Sequence, residues 1–284
     1  MNIASVISAA ADRLRRARIE EPRLEAESLL AHLLDRDLSW ILAHPEADVM
    51  STVIKTFAQL VAKRAARVPY AYLTGVKSFY GRDFRVTPAT LIPRPETETL
   101  VEALLSRIPV TSTATIVDVG TGSGAIGATL AAERAKTKAI LYDVSKKALD
   151  VAASNISRLK LGRRVRCARL DILHQALPEP KGASVVVANL PYLPDAVWKR
   201  SRPEVRTHEP KLALVSGADG LRHYRALFKR LMVWKRRPVM IAIEAEPEQF
   251  PELADLTRAL LPDARPEILK DLHGDDRVLI AARP

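Results

Sequence analysis

From Thr115 onward the chain alternates short apolar runs with longer amphipathic stretches. That alternation limits the possible folds more than any other feature. The runs are TIVDVG, AILYDV, RVRCARL, SVVVANL, PVMIAIEA and a final RVLIAA. They are of strand length and rich in β-branched residues. Helical patterns fill the intervals, over residues 124–136, 146–160 and 220–234. Strands joined through helices cross over the sheet and run parallel. The pattern therefore predicts an α/β fold with a mostly parallel sheet and helices on both faces. In such sheets ligands bind at the carboxyl ends of the strands. No internal repeat or low-complexity tract is visible.

The earlier chain has a different pattern. Across residues 1–72, Leu24, Leu29, Leu30, Leu33 and Leu34 recur at helical spacing with charges between them. Trp40, Ile41, Val53, Phe57, Leu60 and Val61 continue the apolar series, and Pro22, Pro45 and Pro69 punctuate it. A small bundle of about four short helices is expected. Its histidines, His32 and His44, read as surface or cap residues. Residues 73–95 change character again. YLTGVKSFYGRDFRV mixes β-branched and aromatic residues, with Gly75 and Gly81 as turn signals, and predicts a β-hairpin linker. Pro93 and Pro95 end it, and Glu96 or Thr97 opens the next helix. Residues 96–284 form the α/β domain.

Composition removes several classes. Cys167 is the single cysteine of 284 residues, so neither an internal disulfide nor a cysteine-cluster metal site is possible. No metal site is expected. No apolar run approaches the ~18–20 residues that span a bilayer. In MNIASVISAAADRLRRAR the basic residues follow the apolar stretch, whereas a signal peptide has them before it. A reduced, soluble, cytoplasmic protein is expected. The net charge of +11 lies almost wholly beyond residue 72. Residues 158–169 carry six basic side chains and residues 222–237 carry seven, with no acidic one in either. Such clusters serve as nucleic-acid footprints or as solvated helix faces.

The glycines are more informative. There are 11, and Gly120, Gly122, Gly124 and Gly127 fall within eight residues. TIVDVGTGSGAIG reads as a strand, a glycine loop and a helix start. Gly120, Thr121, Gly122, Ser123 and Gly124 let the backbone approach a ligand closely. Asp143 ends the next strand about 20 residues later, where a carboxylate binds ribose hydroxyls. Gly122-x-Gly124-x-x-Gly127 fits a dinucleotide fingerprint. Asp118-x-Gly120-x-Gly122-x-Gly124 also resembles motif I of class I S-adenosylmethionine methyltransferases. Asp118 favours the second, because a carboxylate repels a pyrophosphate and suits the cationic amino group of a methionine moiety.

The fourth run ends in Asn189-Leu190-Pro191-Tyr192, again at a strand's carboxyl end. The Asn189 oxygen and the Leu190 carbonyl can accept the two N–H bonds of a planar NH2 group. The Tyr192 ring can stack on that group, and Pro191 stiffens the loop. A strand-ending turn also uses Asn and Pro. The string resembles the NPPY signature of methyltransferases acting on amide or exocyclic amino nitrogens.

Beyond these motifs, PRLEAESLLAHLL, LAHPE, LIPRPETETLVE, DVSKKALDVAASN, HEPKLALVSGADGLRHYRALF and KDLHGDDRVLIAA resemble the bacterial HemK/PrmC family of protein-(glutamine-N5) methyltransferases. The similarity runs from about residue 10 to the end. It implies a class I methyltransferase fold, Rossmann-like, behind a small N-terminal helical domain. Residues 1–72 would dock a class 1 peptide chain release factor. The methyl group of S-adenosylmethionine would pass to the side-chain amide nitrogen of the glutamine in that factor's GGQ motif. The resemblance implies that Gly120 to Gly124, Asp143 and Asn189 hold the cofactor, that Asp171 and Ile172 flank its adenine, and that Asn189 to Tyr192 hold the glutamine. His174, His208 and His223 read as surface groups. The chain departs from the family at Leu190, at Ile172, where some members have an aromatic residue, and at Glu246, where glycine is frequent. NLPY is also carried by rRNA adenine dimethyltransferases. The alternatives are a ribosomal-protein glutamine methyltransferase, an RNA or DNA adenine amino methyltransferase, and a non-catalytic binding module. A monomer with at most loose ribosome or RNA association and no membrane contact is expected.

Overall fold

The computed structural model describes residues 1–284, which divide into two compact units. The first comprises residues 1–76 and 202–208, the second residues 77–201 and 209–284.

The first unit is helical. It contains α1 (Ile3–Arg16), α2 (Pro22–Leu34), α3 (Leu38–Ala43), α4 (Ser51–Ala65) and α5 (Tyr70–Thr74). Asn2 caps α1 by accepting the Ser5 N–H at 3.0 Å. Ile3, Val6, Ile7, Ala10, Ala11 and Leu14 form a single buried stripe along α1. That stripe shares one core with Leu29 and Leu30 of α2 and Phe57 and Val61 of α4. Arg64 of α4 is also buried, and a guanidinium out of water needs anionic partners. Glu25 receives it through both carboxylate oxygens, and Glu204 receives it at 3.4 Å. Arg67 adds a 2.9 Å bond to Glu204, which ties residues 202–208 to this unit. Leu73 and Thr74, expected within the hairpin linker, belong to helix α5, which ends at Gly75.

The second unit opens with a hairpin, β1 (Val76–Phe79) and β2 (Arg82–Arg85). Tyr80 and Gly81 join the strands, both with positive φ, as a two-residue hairpin turn requires. Its main sheet contains β3 (Thr115–Val119), β4 (Lys138–Asp143), β5 (Val165–Arg169), β6 (Ser184–Ala188), β7 (Met240–Glu244), β8 (Glu267–Lys270) and β9 (Asp276–Ala282). The order is β5-β4-β3-β6-β7-β9-β8. The first five are parallel, and β9 runs antiparallel to both neighbours. Between them lie α6 (Thr97–Leu105), α7 (Ala125–Glu133), α8 (Lys146–Arg158), α9 (Asp195–Trp198), α11 (Arg222–Leu231) and α12 (Phe250–Leu260). Helix α10 (Pro203–His208) is the segment already assigned to the helical unit.

Strand alternation sorts the core into two layers. Val117, Val119, Val186, Ile241 and Ile243 face Leu227 and Phe228 of α11 and Leu253 of α12. Ile116, Val185, Val187 and Ala242 face Leu100 of α6, Ala128 of α7 and Ile156 of α8.

Much of the basic excess is committed within this unit. Arg164 donates to the carbonyls of Ala131, Arg134 and Thr137. Arg230 donates to those of Ile172 and Leu173, and Arg237 to those ending α11. Arg225 is held by Glu252 and Asp219, and Arg236 by Glu179. These guanidiniums satisfy chain ends that would otherwise lack donors.

Candidate active site

The chain leaves β3 toward β4 on one side and later returns to β6 on the other. The carboxyl ends of β3 and β6 are therefore neighbours at a topological switch point. Val119 pairs with Ala188, so the glycine loop and the Asn189 loop begin side by side.

The glycine loop is held by its own backbone. The N–H groups of Gly120 and Thr121 both donate to the Tyr142 carbonyl, at 2.8 and 3.0 Å. The Gly122 N–H donates to Asp143 Oδ2 and the Ser145 N–H to Asp143 Oδ1, each at 2.9 Å. Burial lifts the Asp143 carboxyl above its ordinary range, while these N–H bonds favour its charged form. Gly120 adopts φ +79°, and a Cβ there would lie 2.9 Å from Leu190 Cδ2. Glycine thus lets the two loops touch. Asn155 of α8 braces the loop from the side, donating to the Ser123 carbonyl at 2.9 Å.

Asp118 does not take the place its sequence position suggested. It is fully buried, and Oδ2 accepts the Thr121 hydroxyl at 2.6 Å and the Gly127 N–H at 3.0 Å. On β3 its neighbours Val117 and Val119 face one layer, so its own side chain faces α7, beneath the loop. It braces the glycine loop and does not reach a ligand's amino group. Burial pushes its carboxyl up to about 6, against those two hydrogen bonds.

The loop after β6 is held by side chains distant in sequence. Asn189 Nδ2 donates to Thr97 Oγ1 at 3.2 Å. The Leu190 N–H donates to the Tyr224 hydroxyl at 3.2 Å, and that hydroxyl donates to the Glu244 carbonyl. The Tyr192 hydroxyl donates to Glu244 Oε1 at 3.3 Å. Gln249 Nε2 donates to the carbonyls of Tyr192 and Asp219, at 2.9 and 3.0 Å. Gly220, at φ +78°, sits against the Tyr192 carbonyl, where a Cβ would collide. None of these bonds uses Asn189 Oδ1 or the Leu190 carbonyl, so both acceptors stay available.

One cavity joins the two loops. Gly120, Thr121, Gly122, Ser123, Asp143, Asp171, Ile172, Asn189, Leu190 and Pro191 line it. Gly124 lies beyond them as the N-cap of α7. Tyr192 follows directly after them, half-buried, with its hydroxyl turned back to Glu244. His223 lines the cavity, contrary to the surface role expected. Its Nδ1 lies 2.6 Å from Ser216 Oγ, and burial together with Arg222 lowers its pKa. His208 is half-buried beside the Ala66 carbonyl, and His174 is exposed. The departure at Glu246 needs no glycine, since its φ is −80° and it forms a capping box with Gln249.

Four contributors escape the sequence reading as site residues: the Thr97 hydroxyl, Tyr224, Glu244 and Gln249. Only Glu244 had a signal, a charge closing an otherwise apolar strand. Glu209 is another. Its Oε1 holds Arg94 at 2.5 Å and its Oε2 the Ile92 N–H at 3.3 Å. It thereby joins the LIPRPETE and HEPKLAL segments at the cavity wall.

The donor set fits S-adenosylmethionine. A half-buried carboxylate, Asp143, stands at a strand end for ribose hydroxyls, open backbone lies at Gly120 to Ser123, and Leu170, Ile172 and Leu173 supply an apolar slot. A seven-stranded sheet of this order, with this loop after its first strand, defines a class I S-adenosylmethionine-dependent methyltransferase. Known structures share the fold. The catalytic domain of hMettl16 in complex with MAT2A 3'UTR hairpin 6 superposes with a TM-score of 0.56 at 14% identity, covering 79% of this chain and 91% of that one. Sequence comparison is more specific. Residues 5–75 match the PrmC N-terminal domain and residues 96–199 the methyltransferase small domain. The release factor glutamine methyltransferase of Moorella thermoacetica is 38% identical over 283 residues, covering 100% of this chain and 99% of the relative. That of Bacillus subtilis is 35% identical over 260 residues, covering 90% of each. The chain belongs to the release factor glutamine methyltransferase family.

Proposed function

We propose that this protein methylates the side-chain amide nitrogen of the GGQ glutamine in class 1 peptide chain release factors. The observation that carries this reading is the pair of uncommitted acceptors, Asn189 Oδ1 and the Leu190 carbonyl, at the cavity of a chain from this family. S-adenosylmethionine, when bound, supplies an electrophilic methyl group on sulfonium. Gly120 to Ser123 and Asp143 hold it, and Asp171 and Ile172 flank the adenine. A primary amide nitrogen is a weak nucleophile, because its lone pair is delocalised into the carbonyl. Asn189 and Leu190 accept its two N–H bonds and aim the remaining lone pair toward the cofactor side of the cavity. Such positioning supplies on the order of 7–11 kcal/mol. Tyr224, by fixing the Leu190 N–H, keeps the adjacent carbonyl aimed.

The helical unit acts in this reading as the docking element for the release factor. The enzyme works as a cytoplasmic monomer, and no helix is long and apolar enough to cross a membrane. Exposed cations outside the pairings above, such as Arg158, Lys160 and Arg163, provide at most loose attraction to the ribosome. Incubation with radiolabelled S-adenosylmethionine and, separately, purified release factor, ribosomes or RNA tests the reading. Label on the release factor glutamine is expected. Label on RNA or a ribosomal protein alone would overturn it.

A further inference from the structure

Beside the Asn189 loop, outside the cavity, lies a carboxylate to which the reaction above assigns no part. Glu244 closes β7 and is 1% exposed. Burial of a carboxylate is unfavourable unless it is well partnered. Yet only Oε1 has a hydrogen bond, a long one of 3.3 Å from Tyr192, and Oε2 is buried without one. Ala188 pairs with Ile243 across β6 and β7, so Asn189 and Glu244 follow side by side at the ends of those strands, and Asn189 and Thr97 favour the charged form of the carboxylate. Arg277 of β9 favours it as well, while Glu246 and the phenols of Tyr192 and Tyr224 are the other titratable neighbours. A group this poorly satisfied calls for a reason.

The chemistry of Asn189 provides one. An amide side chain has an accepting end and a donating end of nearly the same shape. To hold a glutamine NH2, Asn189 must turn its oxygen to the cavity and its nitrogen to the protein. The flipped form would set the amide oxygen against the Glu244 carboxylate, while the Thr97 hydroxyl, able to donate or accept, would by itself tolerate either end. It would also present one NH2 group to another. An ionised Glu244 beside Nδ2 disfavours that flip, and the hydroxyl of Thr97, which accepts from Nδ2, gives the carboxylate a second hold on the same end.

We propose that Glu244 is the positioning residue that fixes which end of Asn189 faces the substrate, acting on the Nδ2 end from the neighbouring strand together with the Thr97 hydroxyl that accepts from it. This rests on the glutamine reading of the site. The test is Glu244→Gln, which keeps size and removes the charge, assayed with S-adenosylmethionine and purified release factor. Expected is a fall in kcat of about 10–100-fold, the scale of a misaligned reacting group, with unchanged KM for the factor and unchanged cofactor Kd. The wild-type rate should also fall as pH drops through about 7, where the carboxylate takes up its proton, and the variant should lack that acid limb.

Thr97→Val provides an independent arm should Glu244→Gln fold poorly. It should lower kcat in the same way, and the double variant should be no slower than the worse single one. Losses that multiply would overturn the shared hold on Nδ2. Wild-type kcat and an intact acid limb in Glu244→Gln would overturn this inference alone. A wild-type enzyme inert on release factor would overturn the functional reading and this inference with it.

Discussion

The loops after β3 and β6 begin side by side but are stabilised by different means. The glycine loop is held within one strand–loop–helix–strand stretch: its N–H groups go to Tyr142 and Asp143, and Asp118 braces it from no more than nine residues away. The Asn189 loop has no such internal support. Thr97, Tyr224, Glu244 and Gln249 reach it from four other parts of the chain. The glycine loop is thus a property of one βαβ unit, whereas the Asn189 loop is a property of the assembled sheet. Damage to the first should appear in cofactor affinity, and damage to the second in turnover and in folding stability.

The largest expected effect tests the second half of that division. Asn189→Ala removes one of the two substrate acceptors and should lower kcat on the order of 10²–10³-fold, as loss of one aligned hydrogen-bonding group in an active site does. Cofactor Kd by calorimetry should stay unchanged. Full turnover would remove Asn189 from the substrate site, and a weakened cofactor would merge the two sites into one.

Asp118 tests the glycine loop by pH. Its folded carboxyl is raised to about 6 from an ordinary 3.8. A carboxyl raised on folding stabilises the folded state at low pH, and that contribution is lost as pH rises through the folded value. Between about pH 4 and pH 7 the wild-type protein should therefore lose about 2–3 kcal/mol from this group. Asp118→Asn should lose correspondingly less over the same range in urea titrations. Parallel curves for the two proteins would show that Asp118 is not buried as described.

The same contrast explains what the sequence disclosed. The order of strands, the glycine loop and Asp143 follow from periods and spacings within about 30 residues, so they could be read directly. Placing Asn189 beside the loop needed only the rule that ligands bind where the strand order reverses. The side that Asp118 faces is not legible in the chain, because spacing locates a residue along a strand, while its face depends on the layer that its neighbours enter. The partner of the Tyr192 hydroxyl is equally hidden from local pattern, since Glu244 lies 52 residues away. Gln249 and Tyr224 look like ordinary helix-region residues in the chain. Their part in the site depends on sheet neighbours that no local pattern encodes. Strand β8, EILK, is an edge strand with mostly exposed residues and lacks the apolar run that marks the others.

A smaller effect belongs to Asp143→Ala. The carboxylate should make charge-assisted bonds to ribose hydroxyls, worth about 1.5–3 kcal/mol. Cofactor Kd should rise roughly 10–100-fold, with kcat at saturating cofactor little changed. A fall in saturated kcat without a change in Kd would break the separation between the two loops.

Tyr224→Phe is the mildest of these changes and the most specific to the long-range braces. The ring stays and the core keeps its volume, so no cavity forms. What goes is one hydroxyl that accepts the Leu190 N–H and donates to the Glu244 carbonyl, both deep in the protein. Leaving these groups unsatisfied should destabilise the fold by about 1–3 kcal/mol, measured by chemical denaturation. The freed Leu190 peptide should also let its carbonyl drift from the amide it receives, so turnover should fall while cofactor Kd holds. A stability loss with wild-type turnover would mean that Leu190 is fixed by its packing against Gly120 alone. The glycine loop would then position both halves of the site.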